Sequence, residues 1–448
     1  MSYIKLLSGV CGATMLGTFA VVAMMMTSDW SAFPGDGSFA EGSEHTHDPA
    51  VLEFNGTYVS VSTSGQGMGV VKTTRDFKTW KTFGPLLKEN PDWLKKRVPE
   101  HRSVWAPDIV VYGNKVRVYY CASRFFGGND SVIGFLENDH FDPEKPTEGW
   151  VDRGEVIDSR KDRNFYNCID AEILIDQTKR HWMFFGSYFA GIYCVELDPT
   201  TGKMLDVTAK PPFQVARNTT SRENALEGSC AMYKDGWYYL FVSYGLAAQG
   251  VRSTYQMMVG RSREPNGPYV DADGKAMTEG GHVSLLKTSP PMFSPGHNEV
   301  LQDSKGRWLT SYHFYDGRKY WTDGKWGLPR VQVREMFWGE DGWPVPGLPL
   351  EHLAATPLKE QMSFGGKWAH QADFGNIDEI HFLPKGEFQS GDRKGKWKLT
   401  KDKLTLQWPK REDPKDFWED VVTLHYQGNY YVGRTQAGLV VRGYRIGD

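Results

Sequence analysis

The sequence predicts an all-β protein: a five-bladed β-propeller followed by a small C-terminal β-barrel. Three observations predict it. One hairpin unit recurs five times along the chain, the composition is rich in aromatics and glycine, and the repeat stops near residue 350 while strand alternation continues. Aromatic residues make up 14% of 448 residues and there are 48 glycines, a balance that suits strands joined by tight turns. No helix-period segment of useful length interrupts the repeats.

The chain opens with Lys5, an uncharged run from Leu6 to Met26 and then a polar break. That pattern predicts an export segment over residues 1–35, a signal peptide or N-terminal anchor plus linker. The run exceeds the ~7–15 residues of an ordinary signal core, so retention as an uncleaved membrane anchor fits as well as cleavage. Either way the body is expected outside the cytoplasm. A net charge of −3 gives no electrostatic basis for binding nucleic acid or anionic lipid. Cys121, Cys168, Cys194 and Cys230 are scattered without a CxxC pair. Zinc clusters are therefore not expected, and a disulfide is permitted but not indicated.

Residues 36–350 carry the repeats: "DPAVLEFNGTYVSVSTS" from Asp48, "APDIVVYGNKVRVYYCAS" from Ala106, "DAEILIDQTKRHWMFFGS" from Asp170, "EGSCAMYKDGWYYLFVSYG" from Glu227 and "HNEVLQDSKGRWLTSYHFYDG" from His297. Each is a short apolar strand, a turn, and an aromatic-rich strand ending near Ser or Gly. They begin 57 to 70 residues apart, room for four strands and their loops. Four-stranded units repeated without helices predict propeller blades. The first strand of each blade then lies nearest the axis, and the first residues converge at one rim: Asp48, Ala106, Asp170, Glu227 and His297. Alternation puts Ala50, Asp108, Glu172, Ser229 and Glu299 below them on the same side. Residues 351–448 alternate differently, as in "GKWKLTKDKLTLQW" and "VVTLHYQGNYYVGRT", and predict the accessory barrel.

Three carboxylates at the mouth of an aromatic-rich channel suit glycosidic bond cleavage, in which one carboxylate must activate water and another must protonate the leaving group. Leu226 beside Glu227 would desolvate that carboxyl and raise its pKa, which makes Glu227 the candidate acid. Asp48 is the candidate base, and Asp170 the group that modulates the acid. A competing reading takes His45-x-His47 as a metal-ligand pair of an amidohydrolase, but that chemistry requires a (β/α)8 barrel and later ligands, and the helices are missing.

These segments, with "GRSREPNGPYVDADGKAM" and "GHNEVLQD", resemble glycoside hydrolase family 43 arabinanases over residues 45 to about 345. The resemblance implies a five-bladed propeller and an inverting hydrolase of α-1,5-linked L-arabinofuranose chains, acting as a monomer. It puts the base, modulator and acid on Asp48, Asp170 and Glu227, and an axial calcium ion, held largely through water, on His297. The residues alone leave His297 open as a hydrogen-bonded core histidine. By the same resemblance Trp105, Phe126 and Phe189 are stacking candidates, and Asn167, Ser187 and Arg334 polar substrate contacts. Ala171-Glu172 and Gly228-Ser229 depart from the family pattern, and Glu172 and Glu299 add charge near the expected metal. A sucrose- or fructan-cleaving propeller lacks support because its WMNDPNG opening is absent. Two alternatives stay open: a non-catalytic glycan-binding propeller, and a family member acting on xylo- or arabinoxylo-oligosaccharides.

Overall fold

The computed structural model describes residues 32–63, 68–99, 101, 103–124, 126–205, 210–322, 324–356, 358, 364–410 and 416–447. Five antiparallel four-stranded sheets follow one another in chain order and form a five-bladed propeller. Blade 1 comprises β1 (His47–Phe54), β2 (Thr57–Thr63), β3 (Met68–Thr74) and β4 (Lys81–Leu87). Blade 2 comprises β5 (Trp105–Tyr112), β6 (Lys115–Ser123), β7 (Ser131–Asn138) and β8 (Val151–Ser159). Blade 3 holds β9 (Glu172–Ile175), β10 (His181–Phe185), β11 (Ile192–Leu197) and β12 (Phe213–Ala216). Blade 4 holds β13 (Leu226–Lys234), β14 (Trp237–Tyr244), β15 (Gln256–Ser262) and β16 (Val283–Leu286). Blade 5 is β17 (Met292–Gln302), β18 (Trp308–Thr322), β19 (Lys325–Trp338) and β20 (Pro344–Pro349). Each sheet runs from the axis outward in chain order, so β1, β5, β9, β13 and β17 surround the channel.

Two six-residue α-helices, α1 (Asp92–Arg97) and α2 (Leu350–Ala355), link blade 1 to blade 2 and blade 5 to the last domain. They are too short to give the sequence a helical period. The last domain is a closed barrel of eight strands, from β21 (Gly366–Ala372) to β28 (Val440–Gly447), which pair with each other to close it. Its interior is apolar: Trp368, Phe382, Leu404, Leu406 and Tyr431 are buried there. Cys121, Cys168, Cys194 and Cys230, the four cysteines among the described residues, are buried free thiols. Among the described residues no helix is long and apolar enough to cross a membrane. The expected export segment lies outside the described residues up to position 31, but Phe33 is already fully buried, two residues ahead of the boundary the sequence suggested.

The barrel shares a core with blades 4 and 5: Leu348, Val345 and Trp343 pack in one cluster with Phe33, Tyr430, Val432 and Val440. At its centre is one carboxylate between two guanidiniums. Asp36, Arg334 and Arg442 are all buried; Arg334 Nη2 donates to Asp36 Oδ1 at 2.6 Å and Arg442 Nη1 to the same oxygen at 3.0 Å. Burial works to raise the Asp36 pKa, yet the charges of Arg442 and Arg334 bring it below the ordinary carboxylate value. The N-terminal segment, blade 5 and the barrel are thus joined through one side chain. Breaking a buried pair leaves uncompensated charge and typically costs about 3–5 kcal/mol, whereas exposed pairs contribute about 0–1. Asp36→Ala is therefore expected to lower unfolding free energy by about 3–5 kcal/mol in urea titrations. Glu144→Ala, which breaks the exposed Arg75–Glu144 pair, is expected to cost no more than about 1 kcal/mol.

Candidate active site

Every inner strand carries an extra residue at its channel-mouth end, and β17 carries a second between Phe293 and Gly296. On β1 the register passes from His47↔Thr63 to Ala50↔Val61, three steps against two. The same irregularity separates Trp105 from Asp108, Glu227 from Cys230 and Gly296 from Glu299. In blade 3 the Gly186 N–H bonds Ile169 O while Phe184 pairs with Glu172, which gives the same count. Each bulge puts one residue in left-handed conformation: Asp48 (φ 51°), Ala106 (38°), Asp170 (58°), Gly228 (57°) and His297 (49°). Non-glycine residues rarely adopt this conformation, and a bulge re-aims the side chain it carries.

This corrects the alignment drawn from sequence in one blade. Asp48, Ala106, Asp170 and His297 are equivalent as expected, but the fourth member is Gly228, and Glu227 stands one position earlier, level with His47 and Trp105. The lower layer shifts likewise, so Cys230, not Ser229, joins Asp108, Glu172 and Glu299. Gly228 allows close packing across the axis: a Cβ there would lie 3.0 Å from the His297 ring.

Asp48 is the most heavily supported carboxylate. Its Oδ1 lies 2.8 Å from His47 Nδ1, 3.1 Å from His297 Nδ1 and 3.5 Å from His313 Nδ1, and its Oδ2 accepts from the Thr63 hydroxyl at 2.6 Å. Its own backbone N–H donates to His313 Nδ1 at 3.1 Å. Burial pushes the carboxyl pKa up, but the imidazoles of His47 and His297 outweigh it and hold Asp48 well below the usual range. The same contact raises His297 to about 9 against the opposing effect of burial. His313, buried against the stacked His47 ring at 3.9 Å, is pushed the other way, since burial and the His47 charge disfavour its cation.

Glu227 receives two hydroxyls: Ser187 Oγ donates to Oε2 at 2.6 Å, and Tyr255 OH donates to Oε1. Burial nevertheless raises its pKa above the ordinary value. Tyr255 reaches it because Gly296 has no side chain; a Cβ there would lie 2.4 Å from the tyrosine ring. Asp170 accepts the Gly228 N–H at 3.2 Å and is also raised, by burial first and by repulsion from Glu227 and Asp48, against the pull of His297. Below the rim Asp108, Glu172 and Glu299 are raised mainly by burial. Cys230 Sγ lies 3.6 Å from Glu299 Oε1.

The other expected contacts divide. Ser187 is on the acid, as described. Trp105 is half-buried with its ring edge-on to Phe126, centroids 6.4 Å apart. Phe126 is 79% and Phe189 44% exposed, both on loops at the channel mouth. Asn167 is instead buried, its Oδ1 accepting from the Ser131 hydroxyl at 2.7 Å, so it ties a loop down. Arg334 is not a substrate contact: it is fully buried on Asp36 in the domain junction. Its role as a junction residue is invisible in the sequence because its partner lies 298 residues away. His45 is exposed on the entry loop, whereas His47 bonds Asp48 and, through Nε2, the Tyr315 hydroxyl at 2.8 Å. The two histidines form no metal pair.

Thr63, Tyr255 and His313 are additions the sequence analysis missed. A signal existed for two of them: Thr63 ends β2 and His313 lies within β18, both on second strands, opposite His47 and Gly296. The Ser-rich endings of those strands mark hydroxyls aimed at the rim, as Ser187 on Glu227 and Ser243 accepting the His297 N–H at 2.7 Å also show.

A propeller whose axial rim holds one strongly acidic and one weakly acidic carboxylate, beneath loops bearing exposed aromatic rings, is the arrangement of a glycoside hydrolase. The chain belongs to glycosyl hydrolases family 43, whose model matches residues 42–344. It is 31% identical to extracellular endo-alpha-(1->5)-L-arabinanase 1 of Bacillus subtilis (strain 168), over 70% of this chain and 92% of that protein. It is 30% identical to extracellular exo-alpha-(1->5)-L-arabinofuranosidase ArbA of Cellvibrio japonicus, over 66% and 85% of the two chains. Among solved structures, the family 43 endo-arabinanase of Bacillus licheniformis superposes with a TM-score of 0.62 at 31% identity, covering 69% of this chain and 99% of that one. The endo-1,5-alpha-L-arabinanase of Thermotoga petrophila RKU-1 covers 91% of this chain and 99% of its own, with a TM-score of 0.68. At 22% identity that likeness concerns the fold.

Proposed function

We propose that the protein is an exported, monomeric enzyme that cleaves α-1,5-linked L-arabinofuranose chains with inversion at the anomeric carbon. The observation that carries this reading is the opposed tuning of Asp48 and Glu227, on blades that are not neighbours. Asp48, ionised, takes the proton of an attacking water. Glu227, protonated, gives its proton to the leaving oxygen from the other side of the sugar. Asp170, itself raised by burial and by Glu227, is the modulator beside the acid, linked to its neighbour through the Gly228 N–H. Separate acid and base with room for water between them yield inversion. The relatives named arabinan-cleaving supply the substrate class, and they include both endo- and exo-acting enzymes. The deciding experiment is a proton NMR time course on linear arabinan: the inverted anomer is expected first, and initial appearance of the retained anomer would overturn the mechanism.

The pKa directions give a pH profile. The base works only when ionised, so activity falls as pH drops through the depressed pKa of Asp48, well below the usual carboxylate range. The acid works only when protonated, so activity falls as pH rises through the raised pKa of Glu227. Glu227→Gln is expected to lower kcat on arabinan about 10²–10⁴-fold and to remove the alkaline limb. Activity should recover on aryl arabinofuranosides, whose leaving groups need no proton. Near-normal hydrolysis of arabinan by a folded variant would refute the acid role.

We also propose one axial calcium ion, held by His297 and waters. The donor chemistry fits: the imidazole stands at the rim above the carboxylates of Asp108, Glu172 and Glu299, and hard oxygen donors suit calcium. When bound, the ion would supply positive charge that offsets these buried acids, and His297 would hold it as a neutral imidazole through Nε2 while Nδ1 stays on Asp48. Elemental analysis of the purified enzyme is expected to find about one equivalent of calcium, with chelation lowering the melting temperature. His297→Ala should lose the metal. Unchanged metal content in that variant would return His297 to a purely hydrogen-bonding role.

A further inference from the structure

Blade 2 carries two large exposed rings that lie on neighbouring loops of the catalytic rim. Phe126 is 79% exposed and Phe165 is 86% exposed. Their loops open at the same end as Asp48, because Ser131 at the start of β7 pairs with both Ser123 at the end of β6 and Ser159 at the end of β8. The amide of Asn129 clasps the two loops together: Nδ2 donates to Asn164 O at 3.1 Å and to Tyr166 O at 3.5 Å, the residues on either side of Phe165. Phe165 is therefore held out of the surface by its bonded neighbours.

From Phe126 the contacts lead inward. Phe126 meets Trp105 at the start of β5. The neighbouring Ala106 N–H donates to the Thr63 hydroxyl at 2.9 Å, and that hydroxyl donates to Asp48. With strands about 4.8 Å apart, the line from β5 to β8 extends roughly 14 Å outward across the blade. That is longer than one sugar. The loop around Phe165, "SRKDRNFYN", is otherwise polar and charged; Arg163 is exposed and Asn164 half-exposed, so it offers hydrogen-bond donors beside an apolar face. An exposed aromatic face flanked by donors is the chemistry that recognises a neutral sugar ring and its hydroxyls.

We propose that Phe165 forms a distal subsite for the polysaccharide, stacking on a sugar of the same chain that is being cut at Asp48 and Glu227, so that the enzyme favours long chains over short ones. This rests on the arabinan reading. The site is remote from the proton transfers, so it acts on affinity and chain-length preference, and its effect is confined to substrates long enough to span blade 2.

The test compares kcat/KM on linear 1,5-α-L-arabinan with kcat/KM on arabinotriose for the full chain and for Phe165→Ala and Phe165→Trp. The ratio of the two constants is expected to fall about tenfold in Phe165→Ala, through KM on the polymer, as loss of one stacking face implies. Phe165→Trp should restore it. An unchanged ratio in a wild-type background that cleaves arabinan would overturn the subsite alone; failure of the wild type to cleave arabinan would overturn the underlying reading. Sedimentation showing that Phe165→Ala dissociates an oligomer, with the ratio unchanged, would assign the ring to a protein contact and likewise overturn the proposal.

Discussion

One extra residue in each inner strand is the constraint from which the site follows. A regular strand would direct alternate side chains into the packing between blades and leave the channel mouth to backbone. The bulge turns one residue per blade into the left-handed region and sends its side chain toward the axis. Four of these five residues are not glycine, and such conformations each cost roughly 1–3 kcal/mol. The strain is offset locally. The Asp48 N–H is taken by His313 and the His297 N–H by Ser243, while the Ala106 N–H is taken by Thr63. Neighbouring strand ends therefore hold the strained backbone and the reactive side chains with the same groups.

The bulge also explains how similar carboxylates acquire opposite behaviour. Asp48 sits in the left-handed slot, where it meets His47, His297 and the Thr63 hydroxyl. Glu227 is one residue earlier and so approaches from a different direction, where it is hydrogen-bonded by hydroxyls and feels His297 only through space. Both are buried, and burial alone would raise both. The outcome is decided by what faces them: the His47 and His297 imidazoles for Asp48, Ser187 and Tyr255 for Glu227. Had Glu227 occupied the slot of Gly228, its side chain would have competed with the His297 ring, which leaves only 3.0 Å for a Cβ.

The fold was legible because its signals are local and repeated. Strand, turn and aromatic strand recur five times, and a pattern seen five times survives an error in any one. Asp48, Asp170 and His297 could be aligned for the same reason. The one-residue offset of Glu227 could not, since "LEGSC" and "IDAEI" align on their apolar residues whichever member is bulged, and only backbone conformation separates them. Arg334 and Asn167 illustrate the other limit. A polar residue in sequence looks like a contact for something external when its partner lies far along the chain; Asp36 and Ser131 were that partner. Tyr255 was hidden for a related reason: it lies outside the hairpin unit, at the start of a third strand, and only Gly296 from another blade reveals why it fits.

The ring itself closes through the site. Each blade is a contiguous stretch of chain, so no strand is exchanged between blade 5 and blade 1 to fasten them. What joins them near the axis is Asp48 with His297 and His313, together with the Tyr58 hydroxyl on Asp303 at 3.0 Å farther out. The entry segment reinforces the seam: Val331 N–H bonds Ser43 O at 3.0 Å, and the Arg330 guanidinium lies 3.2 Å from Glu44 Oε2. His45 belongs to this segment and His47 follows it at the start of β1, so the two histidines of the His-x-His pair do not face one another. Alternation sends His45 to solvent and His47 to the seam. A propeller that loosened between blades 5 and 1 would leave His47 beside Asp48 but take away His297, the second imidazole that holds the carboxyl pKa down, so closure of the fold and the tuning of Asp48 share a contact.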